Sequence, residues 1–382
     1  MPELNARARQ VPISPTMAAA SAQTLHPDPI DLAAGEPLDP PPSSVIEAGR
    51  RALADGRVRY GEVPGDPELR EAIAESRSVR PEEVIVTAGG NAALIDALRV
   101  LLEPGDEVVI PAPAWPSFGQ QVAWIGANAI EVPPTDDARV DWEATELACG
   151  PRTRAIIVNS PLNPTADVHS EAELRRVLEL ARRWDAWVIS DEVYRHLAFE
   201  RPAPSVLELV PDLDGVVIVD SFSKRFSLTG LRVGAAIAQA PVIDALVRIA
   251  SASTTHPATV SQAAALATFE VDPAWERERL DRDQHRSERA YARILDLPLV
   301  TTRRPEAALF LFLDVRPLLE ATGVPHDRAL VDRLREEIGL SLVPGAAFGT
   351  PGFIRVSAGV EEDRLDEAFD RWAEWIAKER KS

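Results

Sequence analysis

Six short runs rich in β-branched residues alternate with longer helix-like stretches between residues 84 and 240. This alternation is typical of a mostly parallel sheet with helices on both faces, because its strands are buried on both sides and are apolar throughout. The pattern therefore predicts a doubly wound α/β domain. The predicted strands are residues 84–87, 107–110, 155–158, 187–190, 216–219 and 233–238, and the clearest predicted helices are residues 92–102 and 171–184.

The C-terminal part of the chain has a different pattern, in which helices and strands do not alternate regularly. It predicts a smaller α+β domain at residues 286–382, after a large domain at residues 31–285. Residues 1–30 are rich in proline and alanine and predict an N-terminal arm that packs with the small domain. The predicted C-terminal elements are helices at residues 317–322, 327–338 and 361–379 and strands at residues 308–313 and 353–357.

The 382-residue chain carries a formal net charge of −19 and a single cysteine, Cys149. An acidic surface repels nucleic acid and anionic membranes, so the charge argues against both as partners. One cysteine forms no disulfide framework, and we find neither an apolar signal-peptide core nor a run of about 18 apolar residues in the sequence. We therefore expect a cytoplasmic protein. The six histidines show no metal-ligand spacing, so no metal site is predicted.

Polar and aromatic side chains follow five of the predicted strands. Ligands of open parallel sheets bind at the carboxyl ends of the strands, so these residues predict a ligand site there. Turns alone do not require asparagine, aspartate, lysine and tryptophan together. The segments are Ala-Gly-Gly-Asn after Thr87, Pro-Ala-Pro-Ala-Trp after Ile110, Asn-Ser-Pro-Leu-Asn-Pro-Thr after Val158, Asp-Glu-Val-Tyr after Ser190 and Asp-Ser-Phe-Ser-Lys after Val219.

Lysine is scarce in this chain: of 41 basic residues, only Lys224, Lys378 and Lys381 are lysines. The last two lie in the polar C-terminal tail, which leaves Lys224 alone inside the predicted folded region. Arginine can replace a solvated lysine, but only lysine can lose its proton and attack a carbonyl group. Lys224 is therefore a candidate nucleophile, and chance survival of a surface lysine is the alternative.

The segments SFSKRFSLTGLRVG (residues 221–234), NSPLNPT (159–165) and SDEVY (190–194) resemble those of the class I/II aminotransferases. This family belongs to the aspartate aminotransferase superfamily of fold-type I enzymes, which depend on pyridoxal 5'-phosphate (PLP). The resemblance implies an enzyme that moves an amino group between an amino acid and a 2-oxo acid. Further matching segments are AAGEP (33–37), RYGEVPGDPELREAIA (59–74), VTAGG (86–90), PAPAWPSF (111–118) and FIRVSAG (353–359).

The resemblance implies three catalytic residues, Lys224, Asp191 and Tyr194. Lys224 forms a Schiff base with the cofactor aldehyde and then moves a proton at the substrate α-carbon. Asp191 keeps the pyridine nitrogen protonated, while Asn163 and Tyr194 reach the phenolic oxygen of the cofactor. Without the resemblance, Asp191 would be an ordinary helix cap and Asn163 part of an Asn-Pro turn.

The resemblance also implies the residues that bind the cofactor phosphate. They are Arg232, whose planar guanidinium suits two oxygens, and Ser221 and Ser223, which supply hydroxyls. Gly90 and Asn91 begin the helix after the first strand, where free N–H groups attract an anion. On its own, the Gly-Gly-Asn segment would predict no more than a turn.

Arg355 resembles the arginine that binds the substrate α-carboxylate, and Gly35 resembles a glycine that lets the backbone approach the same group. Trp115 matches an aromatic that stacks on the pyridine ring and, with Asn163, borders the substrate. Core packing is the alternative for this tryptophan. Tyr60 resembles a tyrosine that reaches the phosphate bound to the neighbouring subunit.

A homodimer with two composite sites is implied, in which Tyr60 and residues 254–257 cross the interface. The chain departs from the family pattern at a few places without a cofactor role, so these departures bear on the substrate. They are Ala166 and Ala307 where glycine is frequent, Leu231 where tryptophan is frequent, and a shortened segment at residues 74–84.

Two alternative functions fit part of the same sequence. PLP also supports elimination, replacement or cyclisation of amino acids, because these reactions branch after the same carbanion. A non-catalytic cofactor-binding module is disfavoured because Lys224 and Asp191 are both present. Residues 1–30 are, in addition, too short and proline-rich for a helix-turn-helix domain.

The sequence predicts a neutral or aromatic substrate side chain rather than an acidic one, with a cationic one as an alternative. A second substrate carboxylate would need a second cation, whereas Arg355 is assigned to the α-carboxylate and Arg232 to the phosphate. The predicted distal lining has no arginine or lysine, and a neutral histidine is a weak anion receptor. This lining consists of residues 13–17, Trp115, Phe118 and His256.

Overall fold

The computed structural model describes residues 3, 5, 9, 11–21, 24, 26–200 and 203–380. Its largest sheet has seven strands in the order β2-β8-β7-β6-β5-β3-β4. Strand β8 runs antiparallel to both neighbours, and the other pairs are parallel. The strands are β2 (Val84–Thr87), β3 (Glu107–Pro111), β4 (Asn128–Val132), β5 (Thr153–Asn159), β6 (Trp187–Asp191), β7 (Val216–Ser221) and β8 (Gly234–Ala238).

Helices cover both faces of this sheet. Successive strand residues enter different apolar clusters: Val84 and Val86 belong to one cluster and Ile85 to another. This double burial confirms the predicted α/β fold with a mostly parallel sheet. The helices around the sheet are Ser43–Ala54, Pro67–Arg77, Gly90–Leu101, Ser117–Ile125, Trp142–Ala148, Glu171–Arg183, Val206–Leu209, Phe222–Arg225, Ala240–Ser251 and Thr259–Leu266.

A second, antiparallel sheet has the order β12-β13-β10-β9 and packs around a separate apolar cluster that includes Trp372. Helix Pro273–Leu295 leads into this region. Because this helix continues across the predicted domain boundary at residue 285, it marks no break in the chain there, and the domain limits remain a prediction. The strands are β9 (Thr301–Thr302), β10 (Phe310–Asp314), β12 (Val343–Pro344) and β13 (Phe353–Ser357), and the helices are Arg316–Thr322, Asp327–Ile338 and Glu362–Glu379.

The chain enters the fold beside this second sheet. Strand β1 (Ile30–Asp31) pairs in parallel with β11 (Leu340–Ser341), and Ile30 is buried in the cluster of Trp372. Helix Pro15–Ser21 is the described helix of the predicted arm, and it contacts β12. The rest of residues 1–25 lies largely outside the described residues.

Two differences from the predicted elements have identifiable physical causes. Strand β10 begins at Phe310 rather than at residue 308, because Ala308 has a φ of 54°, in the left-handed region that interrupts an extended strand. Strand β4 was not predicted, since it lies at the sheet edge and only Val132 of its five residues is buried. Within the described residues, we find no helix that meets the length and hydropathy of a membrane span.

Candidate active site

Lys224 lies in the turn of helix directly after β7. The hydroxyl of Ser221 accepts a hydrogen bond from the backbone N–H of Ser223 over 3.2 Å and so begins this helix at Phe222. The Lys224 amine donates to the carbonyl oxygen of Gly35 over 2.8 Å. Burial lowers the pKa of Lys224 from 10.5 to about 8. The amine therefore loses its proton far more readily than the amine of an exposed lysine.

Asp191 ends β6 and is buried. Its carboxylate accepts a hydrogen bond from the backbone N–H of Val193 over 3.2 Å, and no cation contacts it within the described part of the chain. Burial raises the pKa of Asp191 to about 7, and the charges of Asp220 and Glu192 act in the same direction. A buried carboxylate without a cation is costly, so the site suits a ligand that brings a positive charge.

Asn159 and Asn163 connect Asp191 to Arg355. The side-chain amide of Asn159 donates to the carbonyl oxygen of Asp191 over 2.9 Å, and its oxygen accepts from the backbone N–H of Asn163 over 3.0 Å. Arg355 on β13 donates to the side-chain oxygen of Asn163 over 3.0 Å. The structure thus brings three predicted site residues together through one chain of hydrogen bonds.

Arg355 is buried beneath aromatic rings. Its guanidinium lies 4.5 Å from the ring centre of Phe310 and 5.3 Å from that of Phe348, and it donates to the carbonyl oxygen of Ala33 over 2.5 Å. Burial lowers the pKa of Arg355 to about 10. Its Nε is buried without a hydrogen-bond partner among the described residues. Such an unpaired cationic donor can receive a ligand carboxylate.

Gly35 and Tyr194 pack on the same phenylalanine. A Cβ atom at Gly35 would lie 3.0 Å from the ring of Phe310 and 3.9 Å from Nη1 of Arg355, so a glycine leaves space there. Tyr194 is buried and meets the Phe310 ring edge-on at 5.5 Å between centroids. Burial raises the pKa of Tyr194, which keeps its hydroxyl protonated and able to donate.

Gly89, Gly90 and Arg232 form a cradle for an anion. Helix Gly90–Leu101 begins here, and the backbone N–H groups of Gly90 and Asn91 have no hydrogen-bond acceptor among the described residues. Gly89 has a φ of 85°, and a Cβ atom on it would lie 2.8 Å from Nη2 of Arg232. Arg232 itself donates to the carbonyl oxygen of Thr229 over 2.8 Å. A Cβ atom on Gly90 would lie 3.6 Å from Cβ of Ser221, which places this serine at the cradle.

Three other predicted residues lie at the margin of this cluster. Asn91 is exposed and accepts a hydrogen bond from Gln121. Trp115 is half-buried and meets Phe118 edge-on at 5.5 Å. Phe118 was predicted to line the substrate pocket, but it is only 1% exposed, so it supports Trp115 from behind.

Tyr60 is 90% exposed in the single chain. Its ring lies 6.0 Å from that of His256, and Nε2 of His256 accepts a hydrogen bond from the backbone N–H of Gly61 over 2.9 Å. No hydrogen bond of the described residues joins Tyr60 to Lys224 or Asp191. Its predicted role towards a neighbouring subunit remains a prediction.

The sequence interpretation missed Asn159, Phe310 and Phe348 as site residues. Asn159 could have been found, since it opens the NSPLNPT segment directly after a strand. The two phenylalanines are indistinguishable from ordinary core residues in the sequence. Only their positions around Arg355 give them a role.

Residues 27–371 match the family described as aminotransferase class I and II. The chain belongs to this family. It is 37% identical over 362 residues to a probable aspartate/prephenate aminotransferase of Thermus aquaticus, a match that covers 91% of each chain. It is also 35% identical over 382 residues to the aspartate aminotransferase of Thermotoga maritima, across 97% of this chain and 98% of the relative.

Solved structures agree with this assignment. The aspartate aminotransferase from Thermus thermophilus with maleate superposes with a TM-score of 0.91 at 34% identity, over 98% of this chain and 100% of that one. The Thermotoga maritima aspartate aminotransferase gives a TM-score of 0.89 at 35% identity, over 98% of this chain and 100% of that chain. The predicted family and fold-type I architecture are confirmed, and the class I/II aminotransferase is an enzyme that uses PLP.

The residues present fit this cofactor. Asp191 is a buried carboxylate without a cation in the described structure, as a protonated ring nitrogen requires. The cradle at Gly89 and Arg232 suits a phosphate, because a side chain on Gly89 would obstruct the arginine. Lys224, the predicted attachment point, has the lowered pKa that a nucleophilic amine needs.

Proposed function

We propose that this aminotransferase uses Lys224, Asp191 and Tyr194 as catalytic residues and transfers the amino group of neutral or aromatic amino acids to a 2-oxo acid. The observation that carries the proposal is the hydrogen-bonded chain from Asp191 to Arg355, combined with the buried Lys224 amine. It supports a site in which a cofactor ring and a substrate carboxylate lie side by side.

Lys224 binds the cofactor and carries a proton to and from the substrate α-carbon. PLP, when bound, supplies an aldehyde for the amino group and a ring that accepts electrons from the α-carbon. The proton transfer requires a neutral amine, and the pKa of about 8 makes this form accessible near neutral pH. The hydrogen bond to Gly35 directs the amine towards the loop that borders the substrate.

Arg355 orients the substrate by its α-carboxylate. Its hydrogen bonds to Ala33 and Asn163 and the flanking rings hold the guanidinium in place. Asn163 and Tyr194 would donate to the phenolic oxygen of bound PLP, and Trp115 would stack on its ring. Because Arg355 and Asn163 share a hydrogen bond, substrate and cofactor contacts adjust together.

The phosphate group lies at the cradle of Gly89, Gly90 and Arg232 in this proposal. Ser221 and Ser223 add hydroxyls, and Asn91 adds a backbone N–H at the start of the helix. Free helical N–H groups and an arginine fork both favour a doubly charged anion.

The side-chain preference follows from the surroundings of Arg355. The rings of Phe310 and Phe348 flank Arg355, and Arg355 and Arg232 already have assigned anions. The relatives named aspartate or aspartate/prephenate aminotransferases favour an acidic substrate instead. A second carboxylate would need a cation that the described neighbours of Arg355 do not supply.

A panel of amino acids tests the substrate and the reaction together. Each amino acid is mixed with the loaded enzyme in a single turnover, and the absorbance of the bound cofactor is followed. Transamination converts the cofactor to its amine form, whereas elimination or cyclisation returns the aldehyde form without any added acceptor. We expect phenylalanine or a neutral amino acid to react fastest. If aspartate outpaces all of these, the proposed preference is wrong.

Exposed apolar residues support a homodimer. Ile46, Leu53 and Val58 are 49%, 59% and 66% exposed, and they precede the exposed Tyr60 in the chain. Large apolar side chains concentrated in one exposed segment are typical of an interface. We propose that a second copy covers them and that Tyr60 and residues 254–257 contribute to its site. A cytoplasmic location, suggested by the single cysteine, is part of the same proposal.

A further inference from the structure

Helix Pro273–Leu295 carries a row of charged side chains on one face. Glu276, Arg279, Asp283 and Arg286 follow one another at intervals of three or four residues, which places them in line along the helix. The last three are buried. Buried charged residues are rare unless they are paired, so this row has a specific structural or functional cause.

The N-terminal half of the row holds the segment of Lys224. Glu276 accepts two hydrogen bonds from Arg225, 2.7 Å from Nε and 3.0 Å from Nη2. Arg279 donates to the backbone carbonyl oxygen of Arg225. Since Arg225 directly follows Lys224, these contacts fix the backbone from which the Lys224 side chain extends.

The C-terminal half of the row holds the loop of Gly35. Arg286 donates to both carboxylate oxygens of Asp39, over 2.8 and 3.3 Å, and Arg282 adds a contact of 3.1 Å. Asp39 follows Gly35 by four residues in the same loop. The carbonyl oxygen of Gly35 is the acceptor for the Lys224 amine.

Asp283 connects the two halves. Its carboxylate lies 3.1 Å from Nη2 of Arg279 and 3.3 Å from Nη1 of Arg286. The side chains of Arg279 and Asp283 are 2% and 1% exposed, so water screens their attraction weakly. Opposite charges therefore alternate from Arg279 through Asp283 and Arg286 to Asp39.

We propose that Asp283 is a positioning residue for transamination, which joins Arg279 to Arg286 and thereby holds the Lys224 segment and the Gly35 loop in register. The inference rests on the role proposed for Lys224. Without the Asp283 charge, the Lys224 segment and the Gly35 loop shift relative to each other. The Lys224 amine is then oriented less accurately towards the substrate α-carbon. Arg355 lies on β13 and keeps its hydrogen bond to Asn163, so substrate binding changes less than the position of the amine, although Ala33 near Gly35 also accepts from Arg355.

The variant Asp283→Asn removes the charge and keeps the size of the side chain. We expect kcat to fall about tenfold, because proton transfer depends steeply on alignment, and KM to change less than about twofold. A purely structural role would lower stability without this separation of kcat from KM.

A second readout measures the Lys224 amine itself. The enzyme is loaded with pyridoxamine phosphate, which leaves Lys224 free, and is acetylated at about pH 7 with Lys378 as the exposed internal reference. Burial is the main cause that lowers the pKa of Lys224; the charge of Glu36 raises this pKa, and the charges of Arg355, Arg232 and Arg279 lower it further. With Asp283 neutral, the charge of Arg279 is less compensated and the Gly35 acceptor is displaced. Both changes favour the neutral amine of Lys224. Acetylation of Lys224 relative to Lys378 therefore rises about three- to tenfold.

Two further variants make the test decisive. Asp281→Asn changes an exposed aspartate of the same helix and should leave labelling and kcat unchanged. Asp39→Asn breaks the row at its other end and should act in the same direction as Asp283→Asn, even if the latter fails to fold. Unchanged Lys224 labelling in the folded variants would overturn the inference. Failure of PLP to protect Lys224 in the unmodified protein would instead overturn the role of Lys224.

Discussion

The guanidinium of Arg355 donates to the side-chain oxygen of Asn163 over 3.0 Å. The two residues lie 192 positions apart: Arg355 is on β13 of the antiparallel sheet, and Asn163 is in the loop after β5 of the seven-stranded sheet. Through Asn159, the same connection reaches the backbone of Asp191. In the proposed site, these hydrogen bonds therefore connect the residue assigned to the substrate carboxylate, Arg355, to the residue assigned to the cofactor ring, Asp191.

Replacing Arg355 with lysine should raise KM for the amino acid about 100-fold and lower kcat less than about tenfold. Lysine keeps the charge but loses the planar fork that binds a carboxylate with two parallel hydrogen bonds. Steady-state kinetics with a reactive amino acid measure both constants. Arg99→Lys, at a helix-surface ion pair, is the control and should behave like the original enzyme. An unchanged KM in Arg355→Lys would show that another residue binds the carboxylate.

Borohydride reduction of the loaded enzyme should attach the cofactor to the peptide that contains Lys224. Lys224→Ala and Lys224→Arg should both fold and lose turnover by several orders of magnitude, because neither side chain offers a neutral amine. Lys378→Arg, in the C-terminal helix, should keep full activity. Peptide mass spectrometry identifies the site, and attachment to Lys378 or Lys381 would contradict the assignment.

Asp191 should make the cofactor-free protein less stable as the pH rises from 4 to 7. The pKa of its carboxyl group is raised from 3.8 to about 7 in the folded protein, so the folded state binds the proton more tightly than the unfolded state within this window. Stability is then lost as the proton leaves. Asp191→Asn should abolish this dependence and stabilise the apoprotein at about pH 8 by roughly 1–4 kcal/mol. Urea unfolding at several pH values measures the free energy of unfolding of both proteins. If this free energy depends on pH in the same way in both, the pKa of Asp191 is not raised by burial.

Gly89→Ala should weaken binding of the cofactor about 10- to 100-fold. The added Cβ atom would lie 2.8 Å from Arg232 and would occupy a backbone conformation with a φ of 85°. Titration of the apoprotein with PLP, followed by absorbance, gives the dissociation constant. Gly150→Ala adds the same atom where nothing lies within 4 Å and should bind normally. Normal affinity in Gly89→Ala would place the phosphate elsewhere.

Leu53→Asp should convert the proposed dimer into an inactive monomer. A charge at this exposed position would lose its water in the interface without gaining a partner. Analytical ultracentrifugation measures the assembly state. Leu147→Asp is the matched control, since Leu147 is 86% exposed in another part of the molecule, and it should remain dimeric. Full activity of a monomeric Leu53→Asp protein would refute the composite site.

Most regular elements of the large sheet were predictable because each is specified by local periodicity. The predicted strand at residues 84–87 matches the structure residue for residue, and so does the predicted helix at residues 327–338 beside the second sheet. Strand β4 was missed because its pattern of burial is that of an edge, where only tertiary pairing makes it a strand.

The sequence by itself determined the candidate reacting groups, because chemical type belongs to a residue: a lysine amid arginines, an aspartate at a strand end, an asparagine before a proline. Only the tertiary structure decided how these groups behave. The pKa of Lys224, the aromatic rings around Arg355 and the burial of Phe118 all depend on neighbours remote in the chain. Burial and charge pairing are set by residues that meet only after folding, and no local pattern records which residues will meet.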